Sequence, residues 1–71
     1  AMITYIEQLE IMSNSQALAR LEADYLNQHT RLSTPCGMDT VKRQLLRLRG
    51  VNAARADKII RHALTATTSR T

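Results

Sequence analysis

Aromatic side chains are almost missing from this 71-residue chain, which has two tyrosines, no phenylalanine and no tryptophan. Aromatic rings bury more area each than aliphatic groups do, so a core must be assembled from Leu, Ile, Val, Ala and Met. A chain of this length forms one domain at most and buries roughly 60% of the surface it exposes when unfolded. Its single cysteine, Cys36, excludes a disulfide within the monomer and fits a reducing compartment. No apolar run approaches the roughly 18 residues that a bilayer crossing needs, and the start of the chain lacks the basic and apolar segments of a secretory signal. The cytoplasm is the expected compartment, and no membrane partner is expected. Ala1, ahead of Met2, reads as a cloning remnant. With so little to bury, the chain should form either a modest, well-capped helical bundle or a homo-oligomer, a homodimer for instance, that completes its core across an interface.

Groupings that carry catalysis are also missing. There are no paired carboxylates, no nucleophile beside a base and no phosphate-loop lysine motif, and a helical domain of this size offers little concave surface. The soft metal-ligand types are His29, Cys36 and His62, whose spacings match no zinc signature. No base lies near Cys36 in sequence to activate its thiol. Neither enzyme activity nor a cofactor or metal is expected.

With one proline and two glycines, breaks in the chain are easy to place. Thr4-Tyr5-Ile6-Glu7 has the form of a capping box and predicts a helix over residues 5–12. Ser13-Asn14-Ser15-Gln16 repeats the form; it either starts a second helix over 14–29 or decorates one continuous helix. Leu18, Leu21, Tyr25 and Leu26, with Ala17 beside them, mark that segment's buried stripe. Ser33, Thr34, Pro35 and Gly37 interrupt the pattern and predict a loop over 30–38. Asp39 or Thr40 would cap a third helix over 39–49, with Val41, Leu45 and Leu48 inward and Gly50 as its C′ residue. A fourth helix over 53–64 presents Ala56, Ile59, Ile60 and Ala63, leaving a frayed tail over 65–71. The fold class is therefore all-α: a single domain of three to four helices ending in a helical hairpin.

Charge is segregated along the chain. Residues 1–35 carry Arg20 and Arg31 against Glu7, Glu10, Glu22 and Asp24, a balance of −2. Residues 36–71 carry Lys42, Arg43, Arg47, Arg49, Arg55, Lys58, Arg61 and Arg70 against Asp39 and Asp57, a balance of +6. The second half thus offers an attractive surface to a polyanion, although small soluble domains also carry basic faces that only water covers.

The most informative stretch is Leu48-Arg49-Gly50-Val51-Asn52, followed by Ala53-Ala54-Arg55, Ala56, Asp57-Lys58 and Ile59. It resembles the helix-hairpin-helix motif of DNA-binding proteins. That motif reads apolar–Pro–Gly–apolar–Gly, three variable residues, Ala, two variable residues, then Ile or Val. Spacing agrees throughout; Arg49 stands where Pro is usual and Asn52 where the second Gly is usual. The resemblance covers residues 45–64 only. It implies that the backbone amides of Gly50, Asn52 and Ala53 ligate phosphate. Arg47, Arg49, Arg55, Lys58 and Arg61 would supply attraction and flanking contacts. Unpaired N–H groups and the dipole at a helix start suit an anion. Such contacts read no base edges, so a sequence-tolerant grip on nucleic acid is implied, with DNA favoured over RNA.

Other readings stay open beside it. A plain αα-hairpin also wants a glycine, an apolar residue after it and a small residue at the crossing. A helix-turn-helix would instead lay residues 53–64 in a major groove with Arg55, Lys58 and Arg61 facing the bases; Leu46, where a small residue is usual, fits this poorly. The dense apolar start, with Ile3, Ile6, Leu9 and Met12, either closes the core or forms an oligomer or partner face. Under the partner alternative the chain is a helical protein-interaction module, a small regulator or an accessory subunit.

Overall fold

The computed structural model describes residues 2–68, and these form four helices with no strand among them. Helix α1 spans Tyr5–Ile11 and α2 spans Asn14–Tyr25. Both expected capping boxes form. Thr4 Oγ1 accepts from the Glu7 amide at 3.2 Å while Glu7 Oε1 accepts from the Thr4 amide at 2.8 Å. Ser13 and Gln16 do the same for α2. Met12 and Ser13 are both extended (ψ 156° and 160°), so the two helices are separate rather than continuous.

Helix α2 stops at Tyr25, short of the expected His29. Leu26 turns extended (φ −122°, ψ 158°), and the Asn27 side chain captures the His29 amide at 2.8 Å, forming a local turn in place of another helical one. Beyond it lies Leu32, fully buried inside a segment expected to be plain loop. Its amide donates to Glu22 Oε2 at 2.9 Å.

Helix α3 spans Pro35–Leu46, displaced toward the N-terminus from the expected 39–49. Thr34 rather than Asp39 or Thr40 is its N-cap, accepting from the Gly37 amide at 3.0 Å. Proline is an initiator here: at the first helical position its fixed φ is already right and its missing N–H would have had no partner. The far end tightens early, with Arg47 and Leu48 amides donating to the carbonyls three residues back, on Gln44 and Leu45. Helix α4 spans Ala53–Thr68, so residues 65–67 are helical rather than frayed. Thr65 and Thr67 hydroxyls bond back to the Arg61 and Leu64 carbonyls, which reconciles β-branched residues with a helix. Residues 69–71 of the expected tail lie outside the described residues.

The core is aliphatic throughout. Leu9, Leu21, Leu32, Val41, Leu45 and Ile59 are its largest fully buried side chains. Ala17, Ala56 and Ala63 are also fully buried; alanines at these positions let helix backbones approach. Helix α2 packs chiefly on α4, which α3 flanks. The apolar stripe of α1 is split by this arrangement. Ile6 and Leu9 belong to the core and Met12 is half-buried, so these three do not form the open oligomer face that their spacing suggested. What remains outward is Met2, Ile3 and Ile11.

Two polar clusters pin α1 and the elbow after it. Tyr5 OH donates to Asp24 at 2.6 Å, Arg20 bonds the same carboxylate at 2.8 Å and lies over the Tyr5 ring, and the two tyrosines meet edge to face. Burial first, and then the bond to Asp24, push the Tyr5 phenol well above its ordinary range. At the elbow, His62 Nε2 donates to the Met12 carbonyl at 2.8 Å, since a carbonyl can only accept. The Asn14 amide nitrogen lies 3.0 Å from His62 Nδ1 and donates to the His62 carbonyl at 2.7 Å. No helix among the described residues is long and apolar enough to cross a membrane.

Candidate nucleic-acid interface

The connection between α3 and α4 occupies residues 47–52. Within it, the Val51 amide donates to the Leu48 carbonyl at 3.3 Å, closing a four-residue turn. Gly50, third in that turn, has φ +82°, while Arg49 before it has negative φ. This is the pattern of a type II turn, which wants glycine at its third position and favours proline at its second. Arg49 occupies that second position. A Cβ on Gly50 would meet nothing within 4 Å, so backbone conformation alone makes the glycine matter. Gly50→Ala should therefore cost about 1–2 kcal/mol, the left-handed penalty of an ordinary residue, and Gly50→Asn distinctly less. Urea titration of both variants checks this; equal costs would show that the turn does not hold the glycine in its positive-φ form.

Val51 is buried and anchors the turn on the core. Asn52 then begins α4: its Oδ1 accepts from the Arg55 amide at 2.9 Å and its carbonyl from the Ala56 amide at 3.0 Å. Asparagine here does the work of an N-cap. Among the described residues the Arg49 amide donates to no protein acceptor, and neither do four that follow it around the turn and the helix start, those of Gly50, Asn52, Ala53 and Ala54. All five residues are exposed. The sequence pointed to Gly50, Asn52 and Ala53; Ala54 joins them because the Asn52 side chain satisfies only the Arg55 amide.

The carboxylates explain where positive charge is left over. Each of the six has a partner inside the chain: Glu7 the Thr4 amide, Glu10 Arg55, Glu22 the Leu32 amide, Asp24 Arg20 and Tyr5, Asp39 Arg43, and Asp57 Lys42. Among the described residues Arg47, Arg49, Lys58 and Arg61 form no ion pair, and all four are exposed. Arg47 and Arg49 flank the turn. Ala54, Lys58 and Arg61 follow one another at helical spacing along the outer face of α4, opposite buried Ala56, Ile59, Ile60 and Ala63. Thr40, Arg43, Gln44 and Arg47 line an open hollow along α3.

Arg55 departs from its expected role as a free flanking cation. Its Nε and Nη2 grip the two oxygens of Glu10, each at 2.8 Å, and its Nη1 lies 3.3 Å from the Gly50 carbonyl. That grip holds the Glu10 carboxyl below the usual carboxylate range and raises the Arg55 guanidinium further above its own. His29 and Cys36 are exposed and His62 is engaged at the elbow. No group of three metal-ligating side chains occurs among the described residues.

Comparison of the chain with protein-family models, with curated proteins and with solved structures finds no match.

Proposed function

We propose that this chain is a small nucleic-acid-binding protein that grips the phosphate backbone at its α3–α4 hairpin, largely without regard to sequence. The observation that carries the reading is the coincidence, at one exposed corner, of five unpartnered amides with unpaired Arg47 and Arg49. A phosphate accepts from such amides and is drawn by the dipole of the helix they begin. Catalysis forms no part of this reading. Duplex DNA is the favoured ligand because its close-set phosphates reward a cationic corner most strongly.

A helix-turn-helix is less well supported. Its connection is normally three or four residues, whereas here residues 47–52 intervene, and Arg55, which would read bases, is held by Glu10. A protein partner is the reading from another class, favoured by outward Ile11 (74% exposed) and Met2 (95% exposed). In it the arginines meet an acidic protein surface, as in a small regulator or accessory subunit.

Binding of mixed-sequence duplex DNA across a salt series separates these. The parent chain should bind at low salt, and Arg47→Glu combined with Arg49→Glu should lower the log–log salt slope by roughly 1.8, or about 60-fold in affinity at 0.1 M salt, for two lost phosphate contacts. The loss should be equal on unrelated sequences. Loss confined to one preferred sequence favours base readout by α4. A parent chain that binds no duplex at low salt hands the case to the protein partner.

A further inference from the structure

Arg55 sits at the hairpin yet does not face it as a free cation, and the group that occupies it is a carboxylate from the other end of the chain. Glu10 and Arg55 meet side-on, oxygen for nitrogen, in the two-bond geometry by which a guanidinium also takes a phosphate. Three further observations place this pair against the proposed interface. Arg55 Nη1 reaches the Gly50 carbonyl of the turn. The Arg55 residue is only one position beyond Ala54, the last of the unpartnered amides. Lys58, one turn on, shares a surface groove with Glu10 and has no ion-pair partner within 4 Å among the described residues.

The pair lies at the solvent edge, its side chains 35% and 33% exposed, and exposed ion pairs contribute little to stability. Exchange of one anion for another at Arg55 therefore costs the fold little. Glu10 can withdraw by side-chain rotation alone, because α1 stays anchored through buried Ile6 and Leu9.

We infer that Glu10 is a built-in stand-in for phosphate: it occupies a second anion subsite, formed by Arg55 with Lys58 beside it, that nucleic acid must take over to engage the hairpin fully. This rests on the hairpin reading above and adds a brake to it. Affinity is held below what the cations could give, and α1 holds the brake.

Anisotropy of labelled mixed-sequence duplex DNA, titrated across a salt series, tests this on the full chain. Glu10→Gln should raise the magnitude of the salt slope by roughly 0.9, a gain of about eightfold in affinity at 0.1 M salt, because one more phosphate contact forms. Glu10→Asp keeps the net charge but shortens the reach, so it should raise the slope in the same direction; a mere change in net charge leaves this variant at the parent value. Arg55→Gln should have little effect in the parent background and should abolish the gain in the Glu10→Gln background, a non-additivity that isolates the pair. Circular dichroism melts confirm that each variant is folded at the assay temperature. If the parent binds and Arg49→Glu weakens it while both Glu10 variants keep the parent slope, the subsite is wrong and the hairpin reading stands. If neither parent nor Glu10→Gln binds at low salt, both are overturned.

Discussion

Gly37→Ala is expected to remove about 3 kcal/mol of stability, the upper end of what overpacking costs, which in a chain of this size is a large share of the total. The reason is backbone against backbone. A Cβ on Gly37 would overlap the Arg31 carbonyl oxygen and stand 2.9 Å from its carbon and 3.1 Å from Thr34 Oγ1. No side-chain rotation relieves that overlap. The Arg31 carbonyl is also tied down, accepting from the Thr34 amide at 3.1 Å and the Thr34 hydroxyl at 2.8 Å. Moving it would loosen the same threonine that caps α3. The melting temperature should fall by on the order of 10–25 °C, at roughly 4–8 °C per kcal/mol for domains of this length. Cys36→Ala, one residue away and exposed, should stay within about 0.5 kcal/mol of the parent. Guanidinium titration followed by far-ultraviolet circular dichroism gives both numbers. A Gly37→Ala protein as stable as the Cys36→Ala protein would mean that the chain before α3 does not cross the helix start.

That glycine shows where the sequence is readable and where it is not. Periodicity exposes any helix that buries a stripe, so the inward faces of α2, α3 and α4 were legible from Leu18, Leu21, Val41, Leu45, Ile59 and Ala63. Capping boxes are equally local, and both were visible as four-residue strings. The start of α3 was misplaced because Thr34-Pro35 reads as a break as readily as a beginning; the deciding fact is that a proline at the first helical position lacks only an N–H that had no partner. Gly37 reads as loop for the same reason, while its lack of a side chain serves a crossing that no local pattern encodes. Contacts distant in sequence were beyond reach altogether. The pairing of Arg55 with Glu10 spans most of the chain, as does that of His62 with the elbow, and neither partner carries a local mark of the other. Ile6 and Leu9 were ambiguous because an apolar stripe on a short helix does not say whether the surface covering it comes from the same chain.

At the hairpin the balance differs. Gly50 was legible because a positive φ selects glycine, and Asn52 because a helix start selects a capping side chain. The number of open amides was not legible, since it depends on which N–H the Asn52 oxygen takes. The surplus of positive charge in residues 36–71 was legible; which cations keep it was not, because that depends on the carboxylates pairing with Lys42, Arg43 and Arg55 and leaving Arg47 and Arg49.

The second large effect separates the scaffold from that corner. Leu32→Ala should cost about 2–5 kcal/mol, the range for emptying a leucine site in a core. A lone leucine in a polar connection would ordinarily be worth a few tenths of that, because connecting segments run over the surface. Leu32 is instead fully buried, and its amide is fastened to Glu22 on α2, so it closes the core between α2 and the start of α3. Leu46→Ala gives the contrast: that side chain is 41% exposed at the other end of α3 and its truncation should cost about 0.5 kcal/mol or less. The two leucines thus reverse the ranking that their surroundings in sequence suggest, helix above loop. Leu32 also lies ahead of Pro35, at the end of α3 opposite the residue 47–52 connection. Its loss should shift the denaturation midpoint strongly and leave the salt slope for duplex DNA at the parent value, measured where the variant is still folded. A Leu32→Ala protein with an unchanged midpoint would show that this segment does not seal the core. One that is folded but has a reduced slope would show that the proposed phosphate contacts depend on the set of α3 as a whole rather than on the turn, the cap and the cations around them.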